Sequence, residues 1–132
     1  MNVVVGYVPT REGESALDHA VREARSRAAR LVVVNSSRGD ALVDERYADE
    51  HQLEALRARL ATSGVEHEVV HVMRGREAAE EILAVAAERR AELVVVGLRR
   101  RSAVGKLLMG STAQRVLLEA ACPVLAVKAA LA

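Results

Sequence analysis

Between Gly97 and Thr112 the chain reads GLRRRSAVGKLLMGST: three glycines, three consecutive arginines, a lysine and a Ser-Thr pair, directly after an apolar run. Glycine tolerates positive φ and lets backbone N–H groups approach a ligand closely, while a helix start adds unpaired N–H groups and partial positive charge. From Leu93 to Leu118 there is no Asp or Glu, whereas Arg99, Arg100, Arg101, Lys106 and Arg115 all fall inside that window. The chemistry such a stretch favours is the binding of an anion, phosphate above all. Two common phosphate loops are excluded by inspection. A P-loop around Gly105-Lys106 would need glycine where Arg100 stands and a hydroxyl where Leu107 stands, and no G-x-G-x-x-G occurs anywhere. The same residues also have a purely local use. Ser111 and Gln114 have the spacing of a capping box, which would contribute about 1 kcal/mol to a helix with no ligand present. The glycines could serve turn geometry, and adjacent arginines on a loop are commonly just solvated.

Other reactive side chains are scattered. His67 and His71 lie on one predicted strand, where four residues span about 13 Å, too far to share a metal ion. They are expected as exposed edge-strand histidines. Cys122, the only cysteine, rules out an internal disulfide and precedes Pro123 among apolar neighbours, which suggests packing rather than nucleophilic chemistry. No pair of carboxylates brackets the basic loop, so no metal ligands are assigned. A catalytic constellation is missing, which points to a binding module rather than an enzyme.

These residues need a scaffold, and the hydrophobic period supplies one. Asn2 to Val8, Leu31 to Val34, Glu66 to Val72, Leu93 to Gly97 and Pro123 to Lys128 are short segments rich in β-branched residues and read as five strands. The third alternates polar and apolar residues and reads as an edge; the others suit parallel strands covered on both faces. Between them lie helical stripes: Ala16, Leu17, Ala20, Val21 and Ala24; Leu53, Leu56 and Leu60; Ala79, Ile82, Leu83 and Ala86; Ala113, Val116, Leu117 and Ala120. Strict βα alternation predicts one doubly wound α/β domain over 1–132, a five-stranded parallel sheet with helices on both faces. With 51% apolar residues but no Phe or Trp, its core must be aliphatic. The formal net charge of +1 announces neither nucleic acid nor membrane. No apolar stretch approaches membrane-helix length and the start carries no signal-peptide pattern, so a soluble cytoplasmic protein is expected.

Taken together, Gly97, the VGKLLM segment and Gly110-Ser111-Thr112 resemble the G-x2-G-x9-G-[ST] phosphate loop of the universal stress protein family. The first strand with Gly6-Tyr7 and the following Pro9-Thr10, the RGREAAEEIL segment, the AELVVVG strand and the CPVLAVK ending resemble it too, in the same order. The resemblance implies a Rossmann-like fold related to the adenine nucleotide alpha hydrolases. It further implies a homodimer through the last strand, Pro123 to Lys128, and in one branch binding of ATP or AMP. The residues it designates for that ligand are Pro9, Thr10, Asn35, Ser36, Gly97, Arg99, Arg100, Gly105, Gly110, Ser111 and Thr112. Pro9 and Thr10 fall on the adenosine side by family position, and Pro-Thr is also ordinary helix-start chemistry. Asn35 and Ser36 could face the crevice or cap backbone groups. Two positions depart from the nucleotide-binding pattern: Arg100 replaces its second glycine, and Val8 stands where an aspartate is usual. Arginine there could bind phosphate through its fork, or fill the phosphate's space, above all if that backbone needs positive φ. The alternative is a nucleotide-free member of the family, acting as a dimeric interaction or signalling module.

Overall fold

Valine-rich segments become the centre of the sheet, and the helical stripes cover it. The chain runs β1 (Asn2–Gly6), α1 (Arg11–Arg27), β2 (Arg30–Ser37), α2 (Glu50–Thr62), β3 (His67–Met73), α3 (Ala78–Glu88), β4 (Leu93–Arg100), β5 (Leu107–Leu108), α4 (Ser111–Glu119) and β6 (Val124–Lys128). The computed structural model describes residues 1–39, 44–100 and 107–129, the side chains of Arg100, Leu107 and Leu108 aside. Five strands are parallel, in the order β3-β2-β1-β4-β6. This is the doubly wound α/β architecture that the alternating pattern predicts. Beyond the five expected strands, the two-residue β5 pairs antiparallel with Arg99 and Arg100 at the end of β4.

Strand alternation divides the core in two. Val3, Val5, Leu31, Val33, Leu93 and Val95 meet Ala16, Leu17, Ala20 and Ala24 of α1 and Leu56 and Leu60 of α2. On the other side Val4, Val32, Val34, Val94 and Val96 meet Ala79, Ile82, Val85 and Ala86 of α3 and Ala113 and Val116 of α4. Leu117, expected in the α4 stripe, is instead exposed beside the exposed Leu118, because the short α4 packs only through Ala113 and Val116. β3 is an edge, as its alternation implies, and β6 is the other.

Parallel strands point their carboxyl ends one way. From β1 the chain winds to β2 and β3 in one direction and from β4 to β6 in the other, so the order reverses between β1 and β4. The crevice beyond those two carboxyl ends is where such sheets take ligands.

Candidate functional site at the carboxyl end of the sheet

Gly97 lies in β4 on the α1 side, and a Cβ built there would sit 2.5 Å from the carbonyl oxygen of Glu12. A Cβ on Gly13 would collide with the carbonyl oxygen of Val8 at 1.7 Å. These two glycines let the first turn of α1 settle directly onto the ends of β1 and β4. Glu12 thereby reaches the rim, where its Oε1 lies 3.9 Å from Arg99 Nε. No sequence signal marks Glu12 as a neighbour of Arg99; the packing of α1 on Gly97 makes it one.

Gly110 is different. Its backbone is extended, φ −66° and ψ 162°, and among the described residues a Cβ there would meet nothing within 4 Å. It is the N-cap of α4, and no side chain among the described residues caps the helix. The capping box expected of Ser111 and Gln114 is not formed. Ser111 is already the first helical residue, one position too late to act as cap, and Gln114 N donates to Gly110 O at 3.0 Å in the ordinary helical way. Ser111 is exposed and Thr112 half-buried. The first turn of α4 contains no acidic residue, whereas those of α1, α2 and α3 all do. Three N–H groups at this mouth therefore keep their partial positive charge uncompensated by a local carboxylate.

The rest of the basic window is partly neutralised from elsewhere in the fold. Arg115 Nε pairs with Glu119 at 2.8 Å, and its Nη1 lies 3.5 Å from Glu77 and 3.7 Å from Glu80. Arg38 Nη1 meets Glu77 at 3.3 Å. Arg100 has an extended backbone paired with Leu107, so no positive-φ cost attaches to its replacing a glycine. The pairing of Arg99 with Leu108 and Arg100 with Leu107 also draws the two ends of the loop together. Arg101, Gly105 and Lys106 lie outside the described residues.

The β1 and β2 side of the crevice is heavily cross-braced. Asn35 is fully buried; its Nδ2 donates to Tyr7 O at 2.9 Å and to Arg46 O at 2.8 Å, and its Oδ1 accepts from Ala48 N at 2.9 Å. His71 donates from Nε2 to Ala48 O at 2.9 Å and stacks on Tyr47 with ring centroids 4.2 Å apart. His71 is thus half-buried and engaged, rather than an exposed edge histidine, and His67 is likewise half-buried with Nδ1 donating to Val65 O. Thr10 Oγ1 accepts from Gly13 N at 3.3 Å and serves as the cap of α1. Pro9 lines a cleft of about 240 Å³ between α1 and α2, with Tyr7, Glu14, Gln52, Leu56 and Arg59 among its walls. There Tyr7 donates to Glu14, and Arg59 bridges Glu14 and Asp18. Burial and the Glu14 carboxylate hold the Tyr7 phenol protonated well above its usual range. Cys122 is half-buried against the α3–α4 cluster, and burial raises its thiol pKa, consistent with a packing role.

A family model described as the universal stress protein family matches residues 1–128. The chain belongs to the universal stress protein family. Among curated relatives, a universal stress protein of Mycolicibacterium smegmatis is 45% identical over 126 residues, covering 96% of each chain. A solved universal stress protein from Archaeoglobus fulgidus is 32% identical, with a TM-score of 0.81 over 97% of this chain and 98% of the other. A second structure of the universal stress protein from that organism, in complex with dAMP, is 30% identical, with a TM-score of 0.71 over the same shares of the two chains.

Proposed function

We propose that the protein is a dimeric universal stress response module that binds an adenine nucleotide, AMP or ATP, at the carboxyl end of its sheet. The phosphates lie against the backbone N–H groups of Ser111 and Thr112, with Arg99 supplying donors beside them; the family resemblance gives Arg100 and Gly105 to the same ligand. The observation that carries this reading is the mouth of α4: among the described residues nothing fills it and no side chain caps it, its own first turn has no acidic residue, and it lies where strand order reverses. The dAMP complex of the Archaeoglobus fulgidus relative supports the ligand class. Pro9, Thr10, Asn35 and Ser36 then stand toward the nucleoside, the first three largely as braces. Mg²⁺ accompanies the nucleotide only if the phosphates bring it. The protein has no membrane or nucleic-acid role, works in the cytoplasm, and hydrolyses ATP weakly at most.

Dimerisation is assigned to β6, which among the described residues pairs only with β4 and presents a half-buried apolar edge guarded by Lys128. A second reading, the nucleotide-free interaction module, draws on three observations: Arg100 in place of glycine, Val8 in place of aspartate, and Glu12 already beside Arg99. Thermal unfolding with millimolar AMP or ATP separates the two. Binding to the folded state alone stabilises by about 2.7 kcal/mol when ligand is at a hundred times Kd, which is several degrees of Tm for a domain of this size. A Tm that stays put at millimolar nucleotide selects the second reading.

A further inference from the structure

A larger cleft than the one beside Pro9 lies away from the crevice, between the C-terminal halves of α1 and α2, with a volume of about 380 Å³. Leu17 and Leu60 close its floor from beneath, and half-buried Val21 gives it an aliphatic wall that solvent reaches. Its rim is basic and exposed: Arg22, Arg25 and Arg59. Asp18 brings the one carboxylate among its walls, and Arg59 already holds it while also bridging to Glu14. The charges left over are those of Arg22 and Arg25.

The hydrogen bonds of these two arginines leave most of their donors unspent. Arg25 uses Nη2 on Ser63 O at 2.6 Å, which covers a carbonyl just past α2 that would otherwise repel an anion. Arg22 has no acceptor among the described residues. Its Nη2 lies 3.4 Å from His19 Nδ1, but that nitrogen is 3.0 Å from Ser15 O. A carbonyl oxygen only accepts, so Nδ1 carries a proton and offers Arg22 no lone pair. Three residues apart, Arg22 and Arg25 share one face of α1. Two guanidinium forks suit a planar or tetrahedral oxyanion head. The volume falls at the lower end of the roughly 300 to 1,000 Å³ of small-molecule sites, so the ligand is small. We infer that this cleft binds a small organic anion, its carboxylate or phosphate head on Arg22 and Arg25 and its short aliphatic part against Val21. None of these three residues lies at the carboxyl end of the sheet, so the cleft stands whether or not a nucleotide binds there.

The test records backbone amide chemical shifts of the wild type with butyrate, butyl phosphate and butylammonium. At least one of the two anions should shift amides within 17–25 and 59–63 saturably, the tighter of them identifying the head group, and butylammonium should not. Arg22→Gln keeps the wild-type Tm, because that guanidinium bonds nothing described in the protein, yet it weakens the anion at least about ten-fold, the loss of a charge-assisted hydrogen bond. Arg25→Gln weakens it likewise, while Arg57→Gln, on the exposed side of α2 and outside the cleft, leaves it unchanged. Shifts that do not saturate, an equal response to butylammonium, shifts centred on Ser111 and Thr112 instead, or an affinity that Arg22→Gln and Arg25→Gln both leave intact would overturn the assignment.

Discussion

Gly97 and Gly110 bracket one loop and look alike in sequence, yet they do different physical work. At Gly97 the missing side chain is replaced by protein, the backbone of α1 at Glu12. At Gly110 no described residue comes within 4 Å of a side chain's first carbon, in front of a helix that no described side chain caps. The start of α2 extends the contrast: Asp49 accepts from Gln52 N at 2.8 Å while Gln52 Oε1 accepts from Asp49 N at 2.9 Å, so that helix satisfies its own first turn. A glycine-rich, basic stretch is thus half scaffold and half candidate site, and only packing tells which half is which.

The contrast can be broken or sharpened by substitution, beginning with the scaffold end. Gly97→Ala should cost about 3 kcal/mol in urea unfolding, since the new methyl meets backbone that cannot yield by a rotamer change. A loss below a few tenths of a kcal/mol would show that α1 readily shifts. Asn35→Ala removes the partners of Tyr7 O, Arg46 O and Ala48 N together, and a loss of about 2 kcal/mol or more is expected by the same measurement. At the other end, Gly110→Asp supplies α4 with both a cap and a carboxylate. AMP affinity measured by titration should fall at least about ten-fold, about 1.4 kcal/mol, with the ligand-free protein equally or slightly more stable. Asp49→Ala should do the opposite, lowering stability by about 1 kcal/mol and sparing AMP binding.

The smallest effect concerns the amino end of the sheet, far from the crevice. A hydrogen bond from Arg89, at 2.7 Å to Oε2, holds the Glu68 carboxyl below its ordinary range, with Arg30 adding to it. A depressed carboxylate pKa contributes stability above the ordinary glutamate range and loses it as pH falls through the folded-state value. Between neutral pH and pH 3, Glu68→Gln should therefore lose less stability than the wild type, the difference appearing only on the acid limb.

The fold was legible because buried parallel strands demand β-branched runs and the helices demand a 3.6-residue stripe. Val3 to Val5, Leu31 to Val34 and Leu93 to Val96 state the sheet outright. Strand ends were less legible. β1 stops at Gly6 rather than Val8, and β2 runs on to Ser37, since polar residues there are fixed by tertiary hydrogen bonds and not by periodicity. The site was legible only in part. The acid-free window from Leu93 to Leu118 is real along the chain, but Glu12, Glu77 and Glu80 return to it through space. The box expected at Ser111 formed instead at Asp49 and Gln52, an equally readable spacing, because the extended residue before α4 is Gly110.

Whether α4 opens onto the phosphates is read from backbone amide chemical shifts recorded while AMP is added. Large shifts are expected at Ser111 and Thr112, saturating with the same Kd as calorimetry and absent from Glu50 and His51 at the capped start of α2. Binding that leaves the Ser111 and Thr112 amides unmoved would contradict it.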